Sequence, residues 1–270
     1  MNENILVYPI NYKSRKDIIK IKPIMDIHKG SKTCDLKAFK KYISENDDYT
    51  YYYTNGDLWD AIYFRDKRFK ASNQNHTDLD DPIDIEIDEM TELLEPIKDR
   101  LICVGHGNHE ETVLKSCHVN MSKRLARSLG VPFLGYSFWI RLKLSNNGDR
   151  GRNVNIFSTH GFGGGTRTEG GSVTKYSKAA DRYDCDIYVA GHDHKLQFVK
   201  YPLLAIAGEN QVKMFSKTKL VCLGGSWKKA YSNDTSTTWE ETKGFPASIM
   251  GGMTIEIKVK DPHVDINARM

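Results

Sequence analysis

The stretch that decides the fold is Ile187-Tyr188-Val189-Ala190-Gly191-His192-Asp193-His194. It begins as a short apolar run, the pattern of a buried strand. It then passes directly into two histidines around an aspartate, side chains that bind metals and transfer protons. A strand that ends in such residues is typical of an α/β sheet, in which ligands bind beyond the carboxyl ends of the strands.

Four earlier motifs have the same layout, each following an apolar, strand-like run. Because the carboxyl ends of neighbouring strands meet at one rim of a sheet, we expect residues from all five motifs to converge. In chain order the motifs are Asp26-Ile27-His28, Gly56-Asp57-Leu58-Trp59-Asp60, Gly107-Asn108-His109-Glu110, His160-Gly161 and Gly191-His192-Asp193-His194.

The motifs supply carboxylates, imidazoles and one amide, which are ligands for divalent cations. Imidazole and carboxylate suit Mn, Fe and Zn, and an amide oxygen is a weaker neutral ligand. Two such ions side by side are typical of sites that attack phosphate esters with activated water. The candidate ligands are Asp26, His28, Asp57, Asn108, His160, His192 and His194.

Composition narrows the class of protein without identifying a substrate. The 270 residues suit a single domain over 1–270, and the net charge of +4 is too small to indicate nucleic acid by itself. The chain has neither a run of roughly 20 apolar residues nor a signal-peptide pattern. We expect a cytoplasmic protein with no membrane association, no obligate protein partner and reduced cysteines.

Periodicity and turn residues predict alternating strands and helices, and hence an α/β fold. Helices are predicted over 35–46, 84–100, 112–129 and 174–183. Strands are predicted over 19–27, 49–54, 101–104 and 187–190, with a hairpin of 136–144 and 154–158 and a strand-rich end from 196 to 260.

At the five motifs the sequence resembles the calcineurin-like metallophosphoesterase family. That family carries Asp-x-His, Gly-Asp-x-x-Asp, Gly-Asn-His-Glu or Asp, a histidine beside glycine, and Gly-His-x-His in this order. The resemblance covers roughly residues 21–195, and no core ligand position is missing. It implies a four-layer α/β sandwich, in which helices flank two mixed β-sheets and a dinuclear metal site lies at the strand ends.

The resemblance also implies a division of the ligands between two divalent ions. Asp26, His28, Asp57 and His194 would hold one ion. The other would be held by Asp57, Asn108, His160 and His192, with Asp57 bridging. His109 would stabilise charge on the phosphate or protonate the leaving oxygen. Mn is the first expectation for the metal, and Fe, Zn, Ni and Mg stay open.

The reaction implied is hydrolysis of a phosphomonoester or a phosphodiester by a water that two metals activate. The alternatives are a nuclease for DNA or RNA with the same dinuclear site and, from another class, a non-catalytic scaffold. The substrate would be a small molecule, a nucleotide or a nucleic acid, and the motifs do not select among them.

Several residues near the motifs are candidates for supporting or substrate-contacting roles. In the glycine-rich loop 161–171, Arg167 is a candidate contact for the substrate phosphate, with a plain surface loop as the alternative. Lys29 is expected to be solvated. The carboxylates Asp60, Glu110 and Asp193 are expected to support the site without binding metal.

Overall fold

The computed structural model describes residues 4–63, 66, 68–69, 80–146, 151–166, 168–207, 212–231, 237–260 and 263–270. In these ranges the helices are α1 (Leu36–Ser44), α2 (Pro82–Leu94), α3 (Asn108–Cys117), α4 (Met121–Leu129), α5 (Glu169–Ala180) and α6 (Trp239–Lys243). The strands are β1 (Ile5–Asn11), β2 (Ile19–Ile24), β3 (Thr50–Thr54), β4 (Val104–Gly105), β5 (Phe133–Gly135), β6 (Ser137–Ser145), β7 (Arg152–Thr159), β8 (Ile187–Ala190), β9 (Leu196–Ala207), β10 (Lys213–Gly224), β11 (Thr254–Val259) and β12 (Val264–Arg269).

Two mixed sheets form the centre of the fold. The large sheet has the order β1-β6-β7-β8-β10-β9, with parallel β7, β8 and β10 at its middle. The small sheet has the order β12-β11-β2-β3, in which β2 and β3 are parallel. The short parallel pair β4 and β5 lies beside the end of β3, where Thr54 N donates to Cys103 O at 3.0 Å.

Alternating side chains on the strands divide the core into three apolar layers. In β10, Leu220 and Cys222 face the cluster between the two sheets, whereas Val221 and Leu223 face α5. A third cluster lies between the small sheet and helices α1 to α4. Helices therefore cover the outer face of each sheet, which is the four-layer α/β sandwich that the resemblance implies.

The four predicted helices lie in the predicted regions but differ in extent. Helix α5 begins at Glu169, five residues before its predicted start and inside the loop predicted over 161–171. Asp35 caps α1 by accepting from Ala38 N at 2.9 Å. The predicted helix over 112–129 is instead two helices, because His118 adopts a left-handed conformation (φ 58°) and Asn120 caps a new start. The predicted helix over 84–100 continues after Leu94 as a tighter 3₁₀ turn that contains Pro96.

The strand ends determine where the motifs lie. The motifs begin within three residues of the ends of β2, β3, β4, β7 and β8, and these strands come from both main sheets and from the short pair β4 and β5. Asn55 joins the sheets here, since its side-chain amide donates to Thr159 O at 2.6 Å. Among the described residues, no helix combines the length and the apolar character that crossing a membrane requires.

Candidate metal centre

Residues from all five motifs meet at this rim, where the candidate ligands form two adjoining groups of metal-ligand atoms. A third group, His28, Asp60 and His109, overlaps the first. In the first group, His194 Nε2 lies 2.9 Å from His28 Nε2 and 3.4 Å from Asp26 Oδ1. In the second, His160 Nε2 lies 3.2 Å from Asp57 Oδ2. The side-chain oxygen of Asn108 lies 3.0 Å from His160 Nε2 and 2.7 Å from His192 Nδ1.

The hydrogen bonds behind the rings determine which nitrogen faces the centre in each neutral imidazole. His160 Nδ1 lies 2.9 Å from Asn55 O, and His192 Nε2 lies 2.7 Å from Gly163 O. A carbonyl oxygen only accepts, so these ring nitrogens carry the hydrogen in neutral imidazoles. In the neutral rings His160 Nε2 and His192 Nδ1 would present lone pairs to the oxygens of Asn108 and Asp57, which are acceptors too.

His28 follows the same rule on the other side of the centre. Its Nδ1 donates to Asp60 Oδ1 at 3.1 Å, which leaves the lone pair of Nε2 facing His194. Burial lowers the pKa of His28 to about 4, although Asp60 acts in the opposite direction, so the ring stays neutral near neutral pH. Acceptors that face one another at these distances fit cations between them, and this donor set suits divalent metals.

The electrostatics of the second group indicate a place for positive charge. Burial raises the pKa of Asp57, but His160 and His109 outweigh it and hold the value well below the ordinary one. Burial lowers the pKa of His160, yet the charge of Asp57 and their hydrogen bond raise it to about 10. A proton between these groups has the role that a bound divalent cation would take over.

The backbone is strained at the ligand positions. Five of the eight described non-glycine residues with positive φ are candidate ligands: Asp26 (49°), His28 (52°), Asp57 (49°), His192 (71°) and His194 (54°). Left-handed backbone costs about 1–2 kcal/mol per L-residue and concentrates at functional sites. The fold therefore holds these five residues in backbone conformations that they would not adopt in an unconstrained chain.

Close approach of the motif loops requires glycine at two positions. A Cβ on Gly56, where φ is +88°, would lie 2.3 Å from Gly107 N. A Cβ on Gly191 would lie 2.6 Å from Asp26 Oδ2. Only glycine fits at these two close approaches, which bring Asp57 beside Asn108 and His192 beside Asp26.

A second ring of buried charges surrounds the first group. Lys228 Nζ lies 3.6 Å from Asp60 Oδ1 and 3.5 Å from Glu240 Oε1. Glu240 Oε1 in turn lies 4.0 Å from His194 Nδ1. Burial raises the pKa of Asp60, but Lys228 and His28 hold it below its usual range, so Asp60 remains an anion behind His28. Motif spacing predicts neither Lys228 nor Glu240, because both come from the strand-rich end.

Glu110 and Asp193 support the loops, which agrees with their expected role. The fully buried carboxylate of Glu110 accepts from the backbone N–H groups of Asp57, Leu58 and Gly107 at 2.7–3.0 Å. Asp193 accepts from Lys175 Nζ at 2.6 Å and from Ser172 Oγ at 2.7 Å. Both carboxylates are engaged in holding backbone or helix α5 in place.

His109 lies at the edge of the centre. Its Nδ1 hydrogen-bonds the carbonyl oxygen of Asp60, and its Nε2 lies 3.9 Å from Asp57 Oδ2. Arg68, which no motif predicts, donates from Nη1 to His109 Nε2 at 3.2 Å. His106 lies nearby in sequence but bonds Ser122 and Glu111.

Two remaining sequence predictions have different outcomes. The prediction that Lys29 is solvated is wrong, because its side chain is buried and forms an ion pair with Glu89 on α2. Arg167, the predicted phosphate contact, lies outside the described residues, and its role stays a prediction.

No protein-family model matches the sequence, and no curated protein sequence matches it. Solved structures to which this chain is similar include a metallophosphoesterase from Sphaerobacter thermophilus, at 11% identity over 90% of this chain and 84% of that chain, with a TM-score of 0.40. The calcineurin-like phosphoesterase YfkN from Bacillus subtilis is 11% identical over 93% and 89% of the two chains, with a TM-score of 0.40. Vps29 complexed with zinc from Entamoeba histolytica is 14% identical over 93% and 98%, with a TM-score of 0.39.

Proposed function

We propose that this protein is a metal-dependent phosphoesterase that hydrolyses phosphomonoesters or phosphodiesters at a centre of two divalent ions, with Mn as the first expectation. The observation that carries the proposal is the convergence of acceptors in the second group. There His160 Nε2 and His192 Nδ1 face the oxygens of Asn108 and Asp57, and a cation between these atoms would replace the proton that His160 and Asp57 otherwise share. Cations held at the rim would supply positive charge for the phosphate and acidity for the attacking water.

The chain's own groups would hold the ligands in one state. The carbonyl oxygens of Asn55 and Gly163 keep the proton of His160 and of His192 on the nitrogen that faces away from the centre. Asp60 does the same for His28. Such partners fix the tautomer and the orientation of a metal-binding histidine, and they increase its basicity as a ligand.

His109 is the proposed group for the leaving oxygen. The Asp60 carbonyl accepts from His109 Nδ1 and holds the ring, and His109 Nε2 then lies 3.9 Å from Asp57 Oδ2. From this position the imidazole can stabilise charge on the phosphate, or can deliver a proton once Nε2 has been protonated. The resting arrangement, with Nε2 accepting from Arg68, means that the substrate must first displace this contact.

The test is turnover and metal content of matched variants. Purified wild type, Asp57→Asn and His192→Ala are loaded with Mn and assayed on p-nitrophenyl phosphate and bis-p-nitrophenyl phosphate. The controls are Asp88→Asn and His263→Ala, which make the same changes at exposed positions. We expect the site variants to lose more in kcat/KM than the roughly 10–100-fold typical of outer-shell partners, while the controls keep wild-type rates.

The same samples separate the alternatives. Cleavage of DNA or RNA strands in place of the aryl esters, with salt-dependent binding, would favour the nuclease. A folded wild type that takes up no metal and turns over neither ester would favour the scaffold. Wild-type rates in Asp57→Asn, despite a fold that matches the wild type by circular dichroism, would overturn the proposal.

A further inference from the structure

Arg68 lies at the His109 edge of the candidate centre and is held from behind. Its Nε lies 3.0 and 3.2 Å from the two carboxylate oxygens of Asp66, and its Nη2 lies 2.7 Å from Asp66 Oδ2. The Asp66 carboxylate also accepts from the backbone N–H of Arg68 at 2.8 Å. A carboxylate that accepts hydrogen bonds from Nε and Nη2 fixes the plane of the guanidinium. The remaining amino group, Nη1, therefore has a defined direction.

That direction leads to His109. A guanidinium only donates, and His109 Nδ1 is committed to the Asp60 carbonyl, so the lone pair of His109 Nε2 accepts from Arg68 Nη1. The acceptor nitrogen lies 3.9 Å from Asp57 Oδ2, at the second group of metal-ligand atoms. The guanidinium of Arg68 is therefore hydrogen-bonded to His109, the residue at the edge of the candidate centre.

The partner at Nη1 is weaker than the one a substrate would offer. A neutral ring nitrogen is a modest acceptor for a guanidinium, whereas a phosphoryl oxygen forms a charge-assisted hydrogen bond that is about twice as strong. The Arg68 side chain is 32% exposed while that of Asp66 is 8% exposed, so the cation is more accessible to solvent than the carboxylate that holds it. A phosphate that enters the rim can reach Nη1 without breaking the Asp66 contacts.

We propose, building on the phosphoesterase activity proposed above, that Arg68 binds a phosphoryl oxygen of the substrate. When the ester enters, Nη1 exchanges His109 Nε2 for that oxygen, and Asp66 keeps the guanidinium in place. The exchange releases the lone pair of His109 Nε2 beside the bound ester. Arg68 is thus a substrate-binding residue and Asp66 its positioning residue, and no motif of the sequence contains either.

The experiment compares wild type with Arg68→Ala, Arg68→Lys and Asp66→Asn, and uses Arg182→Ala, an exposed arginine, as the matched control. Each protein is loaded with Mn, and its metal content is measured by inductively coupled plasma mass spectrometry. Binding of inorganic phosphate is then measured by titration calorimetry, and kcat and KM are measured on p-nitrophenyl phosphate.

We expect Arg68→Ala to retain its metal and to lose about tenfold to a hundredfold in affinity for phosphate and in kcat/KM, as for loss of a hydrogen bond to a charged group. Arg68→Lys should recover part of this loss, because it keeps the charge without the planar fork. Asp66→Asn should raise KM and the dissociation constant for phosphate together, with unchanged metal content. Arg182→Ala should match wild type.

Unchanged phosphate affinity and kinetics in metal-loaded Arg68→Ala would overturn the assignment, as would a loss confined to metal content. Failure of the proposed function has a different signature, namely a wild type that does not hydrolyse either ester. If such a wild type bound phosphate in an Arg68-dependent way, the phosphate contact would be supported and the hydrolase refuted. If it bound no phosphate at all, both would be refuted.

Discussion

At the scale of single residues, Asp60 influences the candidate centre without touching its interior. Its carboxylate accepts from His28 Nδ1, and its main-chain carbonyl accepts from His109 Nδ1. Lys228, 3.6 Å away, keeps the carboxylate ionised. One residue thus fixes the ring orientation of a candidate ligand and of the proposed leaving-group residue, through two different atoms.

Asp60→Asn should weaken metal binding while leaving every candidate ligand in place. The amide oxygen still accepts from His28 Nδ1 but has no negative charge, so the imidazole becomes a poorer ligand. Loss of such an outer partner typically costs roughly 10–100-fold in metal affinity. Titration calorimetry with Mn on the metal-free protein gives the affinity, and Asp88→Asn is the control. Equal affinity in Asp60→Asn and wild type would contradict this role.

The residues that could be predicted from the sequence are those whose chemistry is local. Asp26, His28, Asp57, Asn108, His160, His192 and His194 each stand in a short motif after a strand, and the structure brings them together. Arg68, Lys228 and Glu240 stand in no such motif. Their positions depend on how distant segments fold back to the rim, and a single sequence carries no local pattern for that.

At the scale of secondary-structure elements, the strand before each motif was predictable because apolar runs and turn residues are local signals. The break between α3 and α4 was not, since the apolar spacing continues through it. There the left-handed turn at His118 and the Asn120 cap outweigh the periodicity. The burial of Lys29 also has no local signal, because its partner Glu89 lies on α2, a helix distant in sequence.

Helix α2 carries a buried carboxyl group that should make stability depend on pH. Burial raises the pKa of Glu86 to about 7 from an ordinary 4.5, although the Tyr63 hydroxyl and Lys29 act to lower it. Between these values the folded state keeps a proton that the unfolded state has lost. The contribution is therefore complete below about pH 4.5 and falls as pH rises to about 7, by roughly 3 kcal/mol in total.

Glu86→Gln should remove this part of the pH dependence, since the amide does not titrate. Urea unfolding of wild type and variant at pH 5 and pH 8 measures the effect as a difference in the free energy of unfolding. Glu92→Gln, at an exposed position of the same helix, is the control and should follow wild type. The explanation would be wrong if Glu86→Gln lost as much stability between the two pH values as wild type does.

At the scale of the whole molecule, the candidate centre belongs to both sheets. Asp26 and Asp57 follow strands of the small sheet, whereas His160 and His192 follow strands of the large sheet. Asn55 connects them by donating to Thr159 O and accepting from His160 Nδ1. Ions that bind across this junction bind only the folded chain, so metal binding should stabilise the packing of the two sheets.

The central claim is that the two groups of ligand atoms hold two divalent ions. Anomalous X-ray diffraction from crystals grown with Mn, recorded at the Mn absorption edge, tests it most directly. The account predicts two anomalous peaks per chain, one among Asp26, His28 and His194 and one among Asp57, Asn108, His160 and His192. The absence of anomalous density between these side chains in Mn-grown crystals would contradict it.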